Sequence, residues 1–219
     1  MLTKQKVLII GGSSFVARNF IRIEQESFDI KTVSRSATGY KNEHIAPDFL
    51  ELAPEIFENV DVVINCAAIV HQSKKVSVDL YNKINYELAI SLANKAKEKA
   101  VKSFLQLSTI AVYGNQTHIV KTTTENPINP YGKSKLLADN DLLNMVNESF
   151  NVVVFRPPMI YGSNNAPGNM IKLIKIISRG LPLPFKGVKN KRDFIHVNNL
   201  IGFMNAAITK QKSGVYLVS

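Results

Sequence analysis

The chain has 219 residues, 45% of them apolar and 20% charged, an ordinary balance for a soluble globular protein. Its formal charge is +10, but Lys74-Lys75, the Lys95/Lys97/Lys99 group and Lys186 to Arg192 are separate clusters with no aromatic platform between them. No nucleic acid is expected as a partner: a solvated basic surface explains most of the charge, and phosphate-bearing cofactors and substrates account for the rest. A lone cysteine, Cys66, excludes an internal disulfide, a zinc finger and a redox pair, and suits a cytoplasmic protein. No apolar stretch approaches the roughly 20 residues that membrane insertion needs, and Val7–Ile10 is too short for a signal core.

From the amino end, Lys6–Ile10 reads as a strand, Gly11-Gly12 as a tight turn, and the residues beyond Ser13-Ser14-Phe15-Val16-Ala17 as a helix. Backbone N–H groups at such a helix start, aided by the helix dipole, favour a pyrophosphate. Gly11, Ser14 and Ala17 are three small residues at a spacing of three, which permits the turn, close ligand approach and helix-to-strand packing. The Ser14 hydroxyl, where a second glycine is usual, could reach a phosphate. Asp29–Ser34 is the second strand and runs into Arg35. A hydroxyl and a guanidinium here, in place of a carboxylate, suit a 2′-phosphate, so NADP(H) is expected over NAD(H).

Asp61–Cys66 and Ser103–Ser108 are two further buried strands. Between them Leu80, Ile84, Leu88 and Leu92 recur at i+4, predicting one helix near 77–99 packed on the sheet. After Ser103–Ser108 comes Thr109, and Thr109 or Ser108, at the strand's carboxyl end, could hold a reacting oxygen. Tyr131 and Lys135 then fall on one face of a helix that follows Asn129-Pro130. A tyrosine acting as a base near pH 7 needs its pKa lowered by about 3 units, roughly 4 kcal/mol. One ammonium about 4 Å away at an effective dielectric of 20 supplies that much. Asn151–Phe155 and Gly214–Val218 complete the strands, and the proline- and glycine-rich stretch from Met159 to Lys191 surrounds an apolar helix at 170–177. The alternation predicts an α/β chain: a Rossmann-type doubly wound parallel sheet with a small substrate lobe, which the resemblance given below marks as incomplete. The expected divisions are a dinucleotide-binding core at 1–158, an inserted lobe segment at 159–195, and a returning helix and last strand at 196–219.

Six segments in order give the chain its likeness: 11–17 (GGSSFVA), 61–68 (DVVINCAA), 107–114 (LSTIAVYG), 129–135 (NPYGKSK), 156–162 (RPPMIYG) and 192–200 (RDFIHVNNL). On these it resembles the extended short-chain dehydrogenase/reductase family, in its NAD-dependent epimerase/dehydratase branch of nucleotide-sugar enzymes. The resemblance implies that Tyr131 is the catalytic acid/base, Lys135 its electrostatic partner and ribose ligand, and Thr109 the hydroxyl that orients the sugar. It implies cofactor contacts from Gly11, Ser13, Ser14, Phe15, Val16, Ser34, Arg35 and Ser108. It also implies adenine contacts from Asp48 and Phe49, a wall of Ala67 and Ala68, an asparagine, Asn85, bracing the active-site backbone, and Pro157 beside the nicotinamide. Arg192 is placed on the substrate diphosphate, where a bidentate guanidinium fits. His71 and His196 are given only packing or surface roles. Members of this family usually continue beyond a strand like the last one here, completing the lobe, and assemble as dimers through two helices per subunit.

Dehydratases of that family carry Asp-Glu directly after the threonine, whereas this chain has Ile110 and Ala111, which transfer no protons. The expected activity is reversible hydride transfer, at C4 of a nucleotide-diphosphate sugar, by a 4-epimerase or a 4-ketoreductase. The alternative is a non-catalytic NAD(P)-binding regulator. No metal is expected.

Overall fold

The computed structural model describes residues 3–70, 76–162, 175–180 and 192–219. Seven parallel strands form the main sheet: β1 (Lys6–Ile10), β2 (Asp29–Ser34), β3 (Glu43–Ile45), β4 (Val62–Asn65), β5 (Ser103–Leu107), β6 (Asn151–Arg156) and β9 (Gly214–Leu217). Their order is β3-β2-β1-β4-β5-β6-β9. The chain winds outward from β1 in both directions, so the crevice beyond the carboxyl ends of β1 and β4 is the topological switch point. A separate pair, β7 (Met159–Tyr161) and β8 (Phe194–His196), runs parallel beside it. The edge strand β3 and this pair are too short to have registered as apolar runs.

Strand alternation separates two cores. Val7 and Ile9 face α1 (Phe15–Glu24) and α5 (Val197–Lys210), packing with Phe20, Leu200 and Met204. Leu8 and Ile10 face the other layer, built from α2 (Val78–Tyr81), α3 (Leu88–Glu98) and α4 (Pro130–Asn144), and pack with Leu88, Leu92, Phe104 and Leu142. Cys66 is buried and reduced. Among the described residues no helix is long and apolar enough to cross a membrane, and no cluster could hold a metal ion.

The predicted helix over 77–99 is helical throughout but not uniform. A π-turn, Asn82–Glu87, separates α2 from α3. The extra residue in that turn rotates the preceding segment by about 100°. Leu88 and Leu92 therefore reach the core while Leu80, on the same expected stripe, is exposed. Most of the expected lobe segment 159–195, including 170–174 of its helix, lies outside the described residues.

Helix α4 begins at Asn129, whose side-chain oxygen accepts the Gly132 amide (2.8 Å), with Pro130 in the first turn where its missing N–H costs nothing. A short 3₁₀ turn, Ile110–Tyr113, lies against this end. A β-carbon at Gly132 would stand 2.6 Å from the Ala111 carbonyl oxygen, so glycine sets how closely α4 approaches the 3₁₀ turn that follows Thr109. Gly132→Ala gains about 1 kcal/mol of helix propensity but forces backbone apart at a cost of about 1–3 kcal/mol. We expect a net loss of about 1–2 kcal/mol, read as a lowered midpoint of thermal unfolding.

Candidate active site

The turn after β1 is fixed by two amides, Gly11 and Gly12, that both donate to the Val33 carbonyl (2.9 and 3.0 Å). Gly11 has φ +84°, and a β-carbon there would lie 2.9 Å from the Ala67 amide nitrogen. The turn is thus pressed on the segment after β4 and admits only glycine. Ser14 has an extended backbone (φ −68°, ψ 158°), so this position needs no glycine. Its hydroxyl oxygen accepts the Ala17 amide (3.2 Å) and caps α1. The serine proton stays free to be donated, and the first-turn amides of Phe15 and Val16 have no intrahelical acceptor. Ser13 is exposed beside them. These donors fit the pyrophosphate of a dinucleotide.

The residues expected around the reaction converge beyond the β5 end. Thr109 is extended and accepts the Ala111 amide (3.1 Å), which starts the 3₁₀ turn. Its hydroxyl also lies by the phenol of Tyr131, while the ring of Tyr81 packs at 6.2 Å, tilted by 55°. Burial pushes the Tyr131 phenol up to about 12, opposed by the Thr109 hydroxyl and reinforced by the negative charge of Asp139. The sequence led us to expect a lowered phenol held down by Lys135. The reverse holds: desolvation prevails at the phenol, and the Lys135 ammonium donates to the Leu107 carbonyl (2.6 Å). Lys135 is itself fully buried, which brings it down to about 8 against the pull of Asp139.

Asn85 lies in the π-turn, and that turn explains its reach. Its side-chain oxygen accepts the Ile69 amide (2.9 Å) and its nitrogen donates to the Ile69 carbonyl (3.0 Å) and the Ser134 hydroxyl (3.1 Å). Ser134 passes a bond on to the Tyr131 carbonyl (2.9 Å). The segment after β4, the π-turn and α4 are thereby tied together at one point.

Other expected residues fall differently. Arg35 is exposed at the end of β2, on a loop held by the Glu43 carboxylate, which accepts the Thr38 amide (2.8 Å), the Thr38 hydroxyl and the Gly39 amide (3.3 Å). Ser34 is a correction. It is fully buried, and a β-carbon at Gly12 would lie 2.8 Å from its hydroxyl, so it packs beneath the turn and offers nothing to a 2′-phosphate. Ser108 is another, since its buried hydroxyl donates to Asp139 (2.7 Å) and faces the protein. The ring of Phe49 is taken up by the core with Leu8, Ile10 and Val33. The Asp48 carboxylate is exposed and accepts the Leu50 amide (2.9 Å). Ala67 is half-buried and Ala68 exposed along the switch-point crevice, and Pro157 is buried with its carbonyl accepting the Ile110 amide (3.1 Å). Arg192 is exposed just before β8. The His196 ring accepts the Asn198 amide (3.2 Å) and caps α5, while His71 lies outside the described residues.

Four groups escaped the sequence reading. Asp139 is wholly buried one turn beyond Lys135, and its Oδ2 accepts from Ser108 and from the Arg156 guanidinium (Nε, 3.0 Å). Arg156 Nη1 also donates to the Tyr113 hydroxyl (2.7 Å) and pairs with Glu125 (2.5 Å). The i, i+4 spacing of Lys135 and Asp139 was visible in the sequence, but Arg156, Tyr113 and Glu125 come from distant segments that only folding joins.

Comparison with known proteins gives a family-model match over residues 7–219 to the NAD dependent epimerase/dehydratase family. The UDP-glucose 4-epimerase of Vibrio cholerae is 30% identical over 98% of this chain and 70% of its own length. An N-acetyl-α-D-glucosaminyl-diphospho-ditrans,octacis-undecaprenol 4-epimerase of Escherichia coli O157:H7 is 24% identical over 95% of this chain, which spans 64% of that protein. Among solved structures, the UDP-glucuronic acid 4-epimerase of Bacillus cereus in complex with NAD superposes with a TM-score of 0.83, at 22% identity over 98% of this chain and 77% of that one.

Two outcomes are expected of the chain without cofactor. In an ultraviolet titration against Tyr131→Phe, the step absent from the variant comes at about 12, above the ordinary tyrosine value of about 10; a step at or below the ordinary value would contradict the burial. The raised phenol stabilises the fold fully below the unfolded value, and that contribution is lost as pH rises from about 10 to 12. Asn85→Ala removes three bonds and leaves Ile69 without its partners. It should cost about 2–3 kcal/mol in denaturant unfolding.

Proposed function

Because the chain belongs to the NAD-dependent epimerase/dehydratase family, we propose that it inverts C4 of a sugar carried on a nucleoside diphosphate, through a 4-keto intermediate. The observation that carries this reading is the meeting of Thr109, Tyr131 and Lys135 with the glycine turn at one carboxyl edge of the sheet. A proton-exchanging phenol has no purpose in a dinucleotide sensor, which weighs against the non-catalytic alternative.

Tyr131 takes the proton from the sugar O4 as C4 gives up its hydride, and, once the 4-keto sugar has turned over, returns it to O4 as hydride re-enters the other face of C4, while the Thr109 hydroxyl holds that oxygen. A bound nicotinamide dinucleotide supplies the hydride acceptor and donor and, when oxidised, a positive charge. Bringing the phenol from about 12 to neutrality costs about 7 kcal/mol. An ammonium about 4 Å away at an effective dielectric of 20 supplies about 4 kcal/mol, so Lys135 alone does not suffice and the remaining attraction falls to the oxidised ring. Such an enzyme is active as a base only when loaded with NAD(P)⁺. Ser14 and the amides of Phe15 and Val16 hold the pyrophosphate, Ala67, Ala68 and Pro157 line the dinucleotide, and Asp48 lies toward its adenine end. Arg192 grips the sugar's diphosphate. Ile110 and Ala111 leave no acid or base for water elimination. The exposed Leu80 and Leu137 on α2 and α4 support a homodimer through that layer, and the reduced Cys66 suits the cytoplasm.

One observation favours a 4-ketoreductase as the second reading. Arg35 is exposed with no carboxylate beside it on β2, which supports a 2′-phosphate and NADP(H). With Ser34 buried, that preference rests on Arg35 alone.

The test incubates the chain with NAD⁺ and UDP-hexoses or UDP-N-acetylhexosamines. We expect the C4 epimer to form with no net NADH, and Tyr131→Phe to lower kcat by about 10²–10⁴-fold with nucleotide-sugar affinity retained. No product from any of these sugars would sink the epimerase reading, and NADPH consumed by a UDP-4-keto sugar would establish the reductase. Arg35→Ala should weaken NADPH about tenfold, the worth of one charge-assisted bond, and leave NADH unchanged. Equal losses for the two would dismiss Arg35 as the 2′-phosphate ligand.

A further inference from the structure

A single carboxylate accounts for how the buried lysine stays charged. Lys135 is enclosed on every side. On its own helix Tyr131 and Asp139 stand one turn to either side of it; from the end of β4 comes the Cys66 thiol, and from β5 the Leu107 carbonyl. Tyr81 of α2 packs behind Tyr131. Behind Asp139 stand Arg156 of β6 and then Glu125 and Tyr113. The thiol is pushed up to about 12 by burial and so carries no charge. Asp139, one turn along α4 and as deeply buried, is therefore the anion that acts on the ammonium among the described residues, through space and without an ion pair.

The way Asp139 is held points beyond a simple ion pair with Arg156. Ser108 and the guanidinium both bind Oδ2, and Oδ1 is buried with no hydrogen-bond partner. A carboxylate serving arginine alone would offer both oxygens to its fork. The guanidinium here turns Nη1 away to Tyr113 and Glu125. Two cations and two carboxylates alternate along this line, Lys135, Asp139, Arg156 and Glu125, and their formal charges cancel.

We propose that Asp139 is a positioning residue which holds the Lys135 side chain as an ammonium in its dry site, so that the lysine can act on Tyr131. The assignment of Lys135 to Tyr131 rests on the function proposed above; the control of Lys135 by Asp139 does not. Burial brings Lys135 down to about 8 and Asp139 is the main group pulling it back. An opposite charge at this range moves a titration by about 1–3 units. Without Asp139 the lysine becomes neutral near pH 7.

The test is a carbon-13 NMR titration of the ε-carbons in the full chain, with the Lys135 signal assigned by its absence in Lys135→Met. Asp139→Asn keeps the shape and the bonds to Ser108 and Arg156 but removes the charge. The Lys135 midpoint should fall by about 1–3 units, and Asp139→Glu should restore it. A midpoint unchanged by the Asn variant overturns the proposal. Should that variant not fold, Asp139→Asn combined with Arg156→Met removes the stranded cation as well, and there too an unmoved midpoint overturns it. Turnover of a UDP-hexose by the unaltered chain is followed in parallel. Its absence sinks the functional reading while the titration still decides the role of Asp139. Where turnover is present, the alkaline limb of kcat should move down with the midpoint, a change that a merely structural role would not produce.

Discussion

A charged ammonium removed from water must be compensated by the protein, and at Lys135 the compensation comes from a carbonyl, a carboxylate and, behind them, a guanidinium. Isolated, such a group would neutralise. Leu107 supplies a dipole at 2.6 Å, and Asp139 is itself wholly buried, which raises its carboxyl while Lys135, Arg156 and Ser108 pull it back toward the charged form. Arg156 in turn reaches Glu125, which is partly open to solvent. The line of charge thus runs from a dry interior to the surface, and each member is tolerable only because the next is present. Removing one partner of a buried pair is far costlier than removing both.

Asp139 acts in opposite senses on Lys135 and Tyr131. It favours the charged form of Lys135 and disfavours the charged form of Tyr131. One anion near both therefore supports the cation while holding the phenol protonated. Tyr131 is half-buried beneath Tyr81, and desolvation adds to the same restraint.

Geometry at the site depends on close backbone approach. Gly11 lets the first turn rest on the segment after β4, and Gly132 lets α4 rest on the 3₁₀ turn after Thr109. The π-turn does complementary work from the third side. By adding a residue it carries Asn85 far enough to bond both backbone groups of Ile69, and exposes Leu80 as a consequence. Three segments separated in sequence are set within one hydrogen bond of each other, so small losses at any of them are felt at Tyr131.

The sequence by itself determined the strands, the phosphate turn and the Tyr131–Lys135 pair. These are local features: apolar runs of strand length, small residues at a spacing of three, and an i, i+4 spacing on a helix. It also made Thr109 a candidate, because the end of a buried strand is a local position. It could not reveal that Ser34 and Ser108 turn inward, since a serine at a strand end looks the same whether it faces ligand or protein. Nor could it reveal the π-turn, whose Asn85 finds its partners in Ile69 and Ser134, far off in sequence. The tertiary structure alone decided the protonation of the site. The phenol of Tyr131 and the ammonium of Lys135 take their values from how deeply they are buried and from Asp139, Arg156 and Glu125, and burial and long-range charge belong to the packed molecule.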